Sequence, residues 1–186
     1  MTETPNPHII DPDTLTGEMR AIRPAVLSLG SNVGDRVGNL QGAIDSLADT
    51  PEVHMVAVSS VYETQPVDAP DGSPDFLNAI VLADTTLSIA MLLERAQAIE
   101  SAFGREHGER NAPRTLDIDL IVVGDRVNES PDLTLPHPRA HERAFVLVPW
   151  HEIDSRAVIP GKGKISDLLA GVDTSTVVKH DAELEV

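Results

Sequence analysis

Apolar positions along the chain change period several times, and each change predicts an element. Residues 25–30, AVLSLG, are a short apolar run ending in glycine, which predicts a strand. Val37, Leu40, Ile44 and Leu47 then recur at steps of three, four and three, the spacing of one helix face. Asp35 is the expected N-cap, while Gly38 and Gly42 lower the helix propensity of the segment. Residues 53–64, VHMVAVSSVYET, read as a strand that changes face or bulges. The loop at 65–74, QPVDAPDGSP, separates it from a third strand at 75–84, DFLNAIVLAD. Thr85 or Thr86 is the expected cap of a second helix running to Phe103. Leu92, Ala96, Ile99 and Phe103 form its expected buried stripe, and Gly104 its stop. Residues 115–124, TLDIDLIVVG, are the fourth strand. Beyond it lie a proline-stiffened turn, a helix expected from near Ala140, and a short last helix in KISDLLAGV, 164–172.

The order β-α-β-β-α-β describes an α+β ferredoxin-like sandwich, an antiparallel sheet with two helices on one face and additional C-terminal helices. Residues 1–23 are polar and aperiodic and are expected to be a tail or linker remnant. Residues 24–175 then form the folded domain, and 176–186 an acidic C-terminal tail.

The fourth strand breaks its own pattern. Asp117 and Asp119 stand inside an otherwise apolar run, and alternate positions of a strand share a face. Two like charges so close are costly to bury unless a cation compensates them. Either that face is wet or something positive sits on it.

Charge sharpens the question. The chain carries a formal net charge of −16. Such a surface disfavours nucleic acid and anionic membrane as partners. Yet six of the 14 Lys and Arg residues fall between Arg105 and Arg143, with His107, His137 and His141 in the same stretch. A small anionic ligand suits that local concentration. There are no cysteines, which excludes disulfides, thiolate nucleophiles and Cys-ligated zinc and suits a cytoplasmic, reducing compartment. No stretch reads as a signal peptide or a membrane span, and no Walker A loop is present.

Several separated motifs now converge. They are LGSN at 29–32, SVYETQPV at 60–67, DFLNA at 75–79, PRTLDIDLI at 113–121, LTLPHP at 133–138 and RAFVLVP at 143–149. Over about residues 24–170 the chain resembles the 6-hydroxymethyl-7,8-dihydropterin pyrophosphokinases of folate biosynthesis. The resemblance implies transfer of a pyrophosphoryl group from ATP to the pterin hydroxymethyl group, giving AMP and the pterin diphosphate. It implies that Asp117 and Asp119 bind two Mg2+ ions. It places Gln97, Glu100, Arg105, Arg114, His137 and Arg143 at the nucleotide, with Arg105 and Arg114 also catalytic. Tyr62, Thr64, Pro66, Val67, Phe76, Asn78 and Phe145 match the pterin positions. The implied enzyme is monomeric, with ATP and the pterin as its small-molecule partners.

These residue types fit that chemistry. Mg2+ prefers carboxylate and phosphate oxygens, and the planar fork of arginine grips phosphate with two charge-assisted bonds. Flat rings suit a flat bicyclic ligand, and an asparagine amide offers both donor and acceptor to its edge. Two departures from the family pattern fall on the nucleotide side. Asn111 stands where a tryptophan is common, and Asp132 where an arginine is frequent.

Overall fold

The computed structural model describes residues 20–66, 71–104 and 114–186. Strand β1 (Arg23–Ser31) is apolar nearly throughout because strands cover both its edges and packed layers cover both its faces. Helix α1 (Arg36–Ala48) starts where Asp35 accepts the Gly38 amide at 3.0 Å. It buries Leu40, Ala43, Ile44 and Leu47. Strands β2 (Val53–Val58) and β3 (Tyr62–Thr64) run one after the other along the same edge of β4 (Phe76–Thr85). Of the two expected irregularities the structure shows a bulge: the register shifts between Met55 and Ala57, and Ser59 accepts the Ile80 amide.

Helix α2 (Ile89–Ala102) is capped by Ser88, which accepts from the Met91 amide, rather than by Thr85 or Thr86. Thr85 is buried at the end of β4, where its hydroxyl donates to the Glu52 carbonyl and accepts from the Leu87 amide. It serves the turn, not the helix. Gly104 ends the segment at φ +80°.

Strand β5 (Asp117–Val123) is followed by a small hairpin, β6 (Asn128–Glu129) with β7 (Thr134–Leu135). The helix expected from Ala140 is split. A 3₁₀ turn covers Ala140–Glu142, Arg143 is extended, and α3 (Ala144–Ile153) begins after it. A second hairpin, β8 (Val158–Ile159) with β9 (Gly163–Lys164), leads into α4 (Ile165–Leu169). The chain closes with β10 (Val178–Lys179).

Across the sheet the order is β10-β3-β4-β1-β5, every pair antiparallel, with β2 continuing the β3 edge. Each helix therefore links two strands that enclose a third, the ferredoxin-like arrangement the sequence predicts. Helices α1 and α2 bury one face of the sheet over Leu27, Leu29, Leu77, Ile118 and Leu120. The opposite face carries a second core, where Val26, Ile80 and Ile121 meet Val146, Leu147 and Trp150 of α3. The register of β1 against β5 shifts between Val26 and Leu27, so β5 places Ile121 beyond Asp119 in that second core.

The C-terminal residues are not a tail. Val178 and Lys179 pair with Glu63 and Tyr62, Ala182 and Leu184 pack on the main core, and Glu185 is bonded to Gln41. Strand β1 begins at Arg23, and residues 1–19 lie outside the described residues.

Candidate active site

The site is set by one row of cross-strand partners. Asp117 pairs with Gly30, Gly30 with Asn78, and Asn78 with Tyr62. In the next row Asp119 pairs with Ser28 and Ser28 with Ile80. Direct partners share a face, here the face opposite α1 and α2. Strand β1 contributes two small residues here, Ser28 and Gly30. A cavity of about 720 Å³ opens over them, between the carboxylates of β5 and the Phe76 and Asn78 side of β4.

Of the residues expected in the site, Thr64, Pro66, Phe76, Asn78, Arg114 and Asp117 line this cavity, as do Asp119, His137, Arg143 and Phe145. Residues from five separate segments thus meet at one place. Tyr62 lies on the same face but outside the cavity lining. Its hydroxyl donates to Glu152 of α3 at 2.5 Å, and burial, then that bond, pushes its pKa up to about 12. Glu152 also accepts the Ser60 amide at 2.8 Å. Gln97 is exposed on α2 and lines a separate shallow depression with Asn128 and Asp132. Glu100 is buried at 3% exposure and accepts the Ile118 amide at 2.7 Å. Its Oε1 satisfies the backbone of β5 between the two aspartates, and Glu100 is not part of the cavity lining. Arg105, Val67 and Asn111 lie outside the described residues.

The electrostatics follow from this placement. Arg114 holds Asp117 through Nη1 to Oδ2 at 2.8 Å, and Arg143 Nη1 stands 3.9 Å from Asp119 Oδ2. Asp119 is half-buried at the cavity, with 38% of its side-chain surface exposed. Burial, then the neighbouring Asp117 carboxylate, raises its pKa to about 7, against the pull of Arg143 and Arg114. The two carboxylates are thus strained as a pair of anions, which suits a divalent cation. Among the described residues, no group of three or more His, Cys, Asp or Glu side chains is placed to hold a metal ion. The donor set is therefore two carboxylates opening on a cavity. That set fits Mg2+, which keeps water and substrate phosphate oxygens as its other ligands, better than an all-protein cage for Ca2+ or Zn2+.

His137 lies between Pro136 and Pro138, fixed by its amide to the Ile121 carbonyl at 2.8 Å. Its Nδ1 accepts the Arg139 amide at 3.1 Å, so the proton of the neutral ring is on Nε2. Burial, then Arg143 and Arg139, holds its pKa down to about 4. It is a neutral donor at physiological pH, not a base. Asn78 is equally fixed. Its amide nitrogen donates to Thr64 Oγ1 at 2.8 Å and to the Tyr62 carbonyl at 3.4 Å, leaving Oδ1 on the side of Gly30 as an acceptor. The Arg143 guanidinium lies 5.4 Å from the centroid of the Phe145 ring.

A model of the 7,8-dihydro-6-hydroxymethylpterin-pyrophosphokinase (HPPK) family matches residues 26–155. The chain belongs to this family. It is 44% identical over 154 residues to the 2-amino-4-hydroxy-6-hydroxymethyldihydropteridine pyrophosphokinase of a Synechocystis species, covering 82% of this chain and 78% of that one. It is 37% identical over 145 residues to the Haemophilus influenzae protein of that name, covering 78% and 90%. It is 46% identical over 150 residues to the Mycobacterium leprae protein, covering 75% and 76%. The fold matches a Plasmodium falciparum HPPK-DHPS crystal structure with a TM-score of 0.63 at 15% identity. That match covers 85% of this chain and 44% of the longer Plasmodium chain, so the chain spans less than half of it. Family membership brings Mg2+- and ATP-dependent chemistry.

Several lining residues had no distinctive sequence signal. Ser28 and Gly30 are small residues inside an apolar strand. Asn32 lies within LGSN but carries no chemistry by itself. Its Oδ1 accepts the Arg114 amide at 2.7 Å and its Nδ2 donates to the Pro74 carbonyl at 3.3 Å, tying the segments that lead into both sides of the cavity. Arg139 and Glu142 pair at 2.7 Å at the cavity. Gly171–Asp173, Thr176 and Val177 complete the lining, Gly171 and Val172 from the end of the expected last helix and Thr176 and Val177 from the expected tail.

Proposed function

We propose a residue-by-residue assignment for the reaction that comes with family membership. The chain is an ATP-dependent pyrophosphokinase of folate biosynthesis. The hydroxymethyl oxygen of 6-hydroxymethyl-7,8-dihydropterin forms a bond to the β-phosphorus of ATP. The bond from that phosphorus to the oxygen bridging it to the α-phosphorus breaks, AMP leaves with the electron pair, and the hydroxyl proton is released.

In this reading Asp117 and Asp119 hold two Mg2+ ions. When bound, the metal supplies Lewis-acid polarisation of the phosphate oxygens and neutralises charge on the leaving group. Arg114 and Arg143, already placed by the carboxylates, grip phosphate oxygens as bidentate donors. His137 donates Nε2–H to the nucleotide without needing a second proton. Phe76 and Phe145 stack on the pterin, and Asn78 Oδ1 accepts from its N–H edge, with Thr64 and Pro66 beside it. Phosphoryl transfer needs little covalent help from protein, so positioning and charge carry most of the rate. Arg105 and Val67, outside the described residues, keep the nucleotide and pterin roles the resemblance implies. Tyr62 acts on the pterin pocket through β3, and Glu100 on the nucleotide site through β5. Gln97 needs an approach of its ligand to the outer face of α2. Residues 24–175 form the catalytic unit, to which residues 176–186 are joined. No helix among the described residues is long and apolar enough to cross a membrane. The reading includes a monomeric, cytoplasmic enzyme, which the cysteine-free sequence suits.

One observation carries this assignment: the carboxylate pair opens into the same cavity as Phe76, Asn78 and Phe145. An AMP-release assay with ATP, Mg2+ and the dihydropterin tests it, using Asp117→Asn and Asp119→Asn. Pterin-dependent AMP formation should fall by about a thousandfold or more in each variant, the scale of losing a principal charge-stabilising group. Retention of more than about a tenth of the rate in both would remove the carboxylates from the metal role.

A further inference from the structure

The last sixteen residues combine polar, acidic composition with an ordered course through the fold. Their leading part, Gly171–Val177, walls the cavity. A local turn shapes it: Asp173 Oδ1 accepts from the Ser175 amide at 2.9 Å and its hydroxyl at 2.6 Å, and the Val177 amide donates to the Thr174 carbonyl. The very next residue begins β10. Val178 pairs with Glu63 and Lys179 with Tyr62, and the His180 amide donates to the Val61 carbonyl at 2.8 Å. The segment then turns onto the other side of the molecule. There Ala182 and Leu184 pack on the main core, and Gln41 exchanges two bonds with the Glu185 backbone, at 2.8 and 2.9 Å.

This course has a consequence for the site. Lys179, Tyr62, Asn78, Gly30 and Asp117 are successive direct partners across five strands. The row that carries the carboxylate at one end carries the C-terminal segment at the other. Strand β3 is only three residues long. So short a strand at a sheet edge holds its position weakly unless its outer side is paired. Its last residue, Thr64, is the acceptor that orients Asn78.

We propose that residues 171–186 are a positioning strap for the pterin. Strand β10 fixes β3, and through Thr64 the orientation of Asn78. The segment ahead of it forms the outer wall of the ring pocket. The strap acts on the pterin side alone, because the nucleotide residues Arg114, His137 and Arg143 stand on other elements. The proposal rests on the reading of the cavity given above.

Two variants of the full-length enzyme test it. One ends at Val177. The other is His180→Pro, which removes the donor to Val61 yet keeps Lys179 in an extended conformation. Dihydropterin binding and steady-state kinetics are measured, with amide hydrogen exchange at Tyr62–Thr64 as a readout independent of turnover. Losing interactions worth a typical hydrogen bond plus some packing raises the dihydropterin KM about tenfold in the truncation, with a smaller rise in His180→Pro. The ATP KM should stay within about twofold, and exchange at β3 should accelerate. An unchanged dihydropterin KM in both variants overturns the proposal. So does an equal rise in both KM values, which marks general loosening. If the truncation does not fold, His180→Pro decides by the same criteria. A full-length chain that binds no dihydropterin overturns the reading of the cavity and the proposal together. A full-length chain that binds it no better than the two variants overturns the proposal alone.

Discussion

Asp117 and Asp119 were visible in the sequence because they violate it. A charge in an apolar strand is an anomaly that needs a reason, and period two puts both anomalies on one face. Ser28 and Gly30 were invisible for the opposite reason: small residues carry no pattern, and their work is to leave room. Gly42 shows the same limit from another side. It reads as a defect in α1, yet a Cβ there would stand 2.4 Å from Cζ of the Phe103 ring. Alanine at this position gains about 1 kcal/mol of helix propensity but overpacks the helix contact by about 1–3 kcal/mol. Gly42→Ala should therefore lower the urea midpoint, and a rise would show that the Phe103 ring swings aside freely. The carboxylate pair makes a second prediction at this scale. Without metal, Asp119→Asn removes one of two repelling, partly buried anions. It should stabilise the metal-free fold at pH 8 by about 1 kcal/mol once solvent screening at the cavity mouth is allowed for. The same substitution abolishes turnover. A metal-free melting temperature below that of the parent chain would contradict this.

The periods of three, four and two located the strands and helices, since each buries a face. What the pattern could not decide was which of several equivalent side chains does a local task. Thr85, Thr86 and Ser88 are all good caps within four residues. Tertiary burial of Thr85 at the end of β4 leaves Ser88 to cap α2. The break at Arg143 is similar: an apolar run suggests one helix, but Arg143 turns extended beside Asp119 and α3 starts one residue later. Glu100 is the clearest case. Its place on the face of Gln97 suggests a nucleotide contact, and one of its carboxylate oxygens accepts the Ile118 amide, joining α2 to β5. Glu100→Ala leaves that buried amide without its charged acceptor, costing about 2–3 kcal/mol. Glu100→Gln keeps an acceptor and should cost less. Both should raise the Mg2+ requirement, because the amide lies between the two aspartates. Equal urea midpoints for parent and Glu100→Ala would exclude the structural role.

At the scale of the whole molecule, composition pointed to an acidic protein with an acidic tail. It missed that the tail is the sixth strand of the sheet, because two residues of pairing and two of packing leave no periodic trace. Composition also suggests that stability should rise toward the isoelectric point near 4.6, where self-repulsion from a net charge of −16 fades. Two buried groups set limits on that trend. His137 has its pKa lowered from 6.5 to about 4, so the folded ring stays neutral while the unfolded chain takes up a proton. Its contribution is complete above pH 6.5 and is lost as pH falls through about 4. Tyr62 has its pKa raised from 10 to about 12, so the unfolded chain releases its proton first. That contribution is complete below pH 10 and is lost as pH rises through about 12. Urea midpoints from pH 4 to pH 12 separate these terms when His137→Gln and Tyr62→Phe are compared with the parent chain. The His137→Gln difference should vary only on the acid side and the Tyr62→Phe difference only on the alkaline side. Tyr62→Phe should cost about 1 kcal/mol at neutral pH, the hydrogen bond to Glu152. Differences that run flat across both windows would mean that neither group is held as the structure places it.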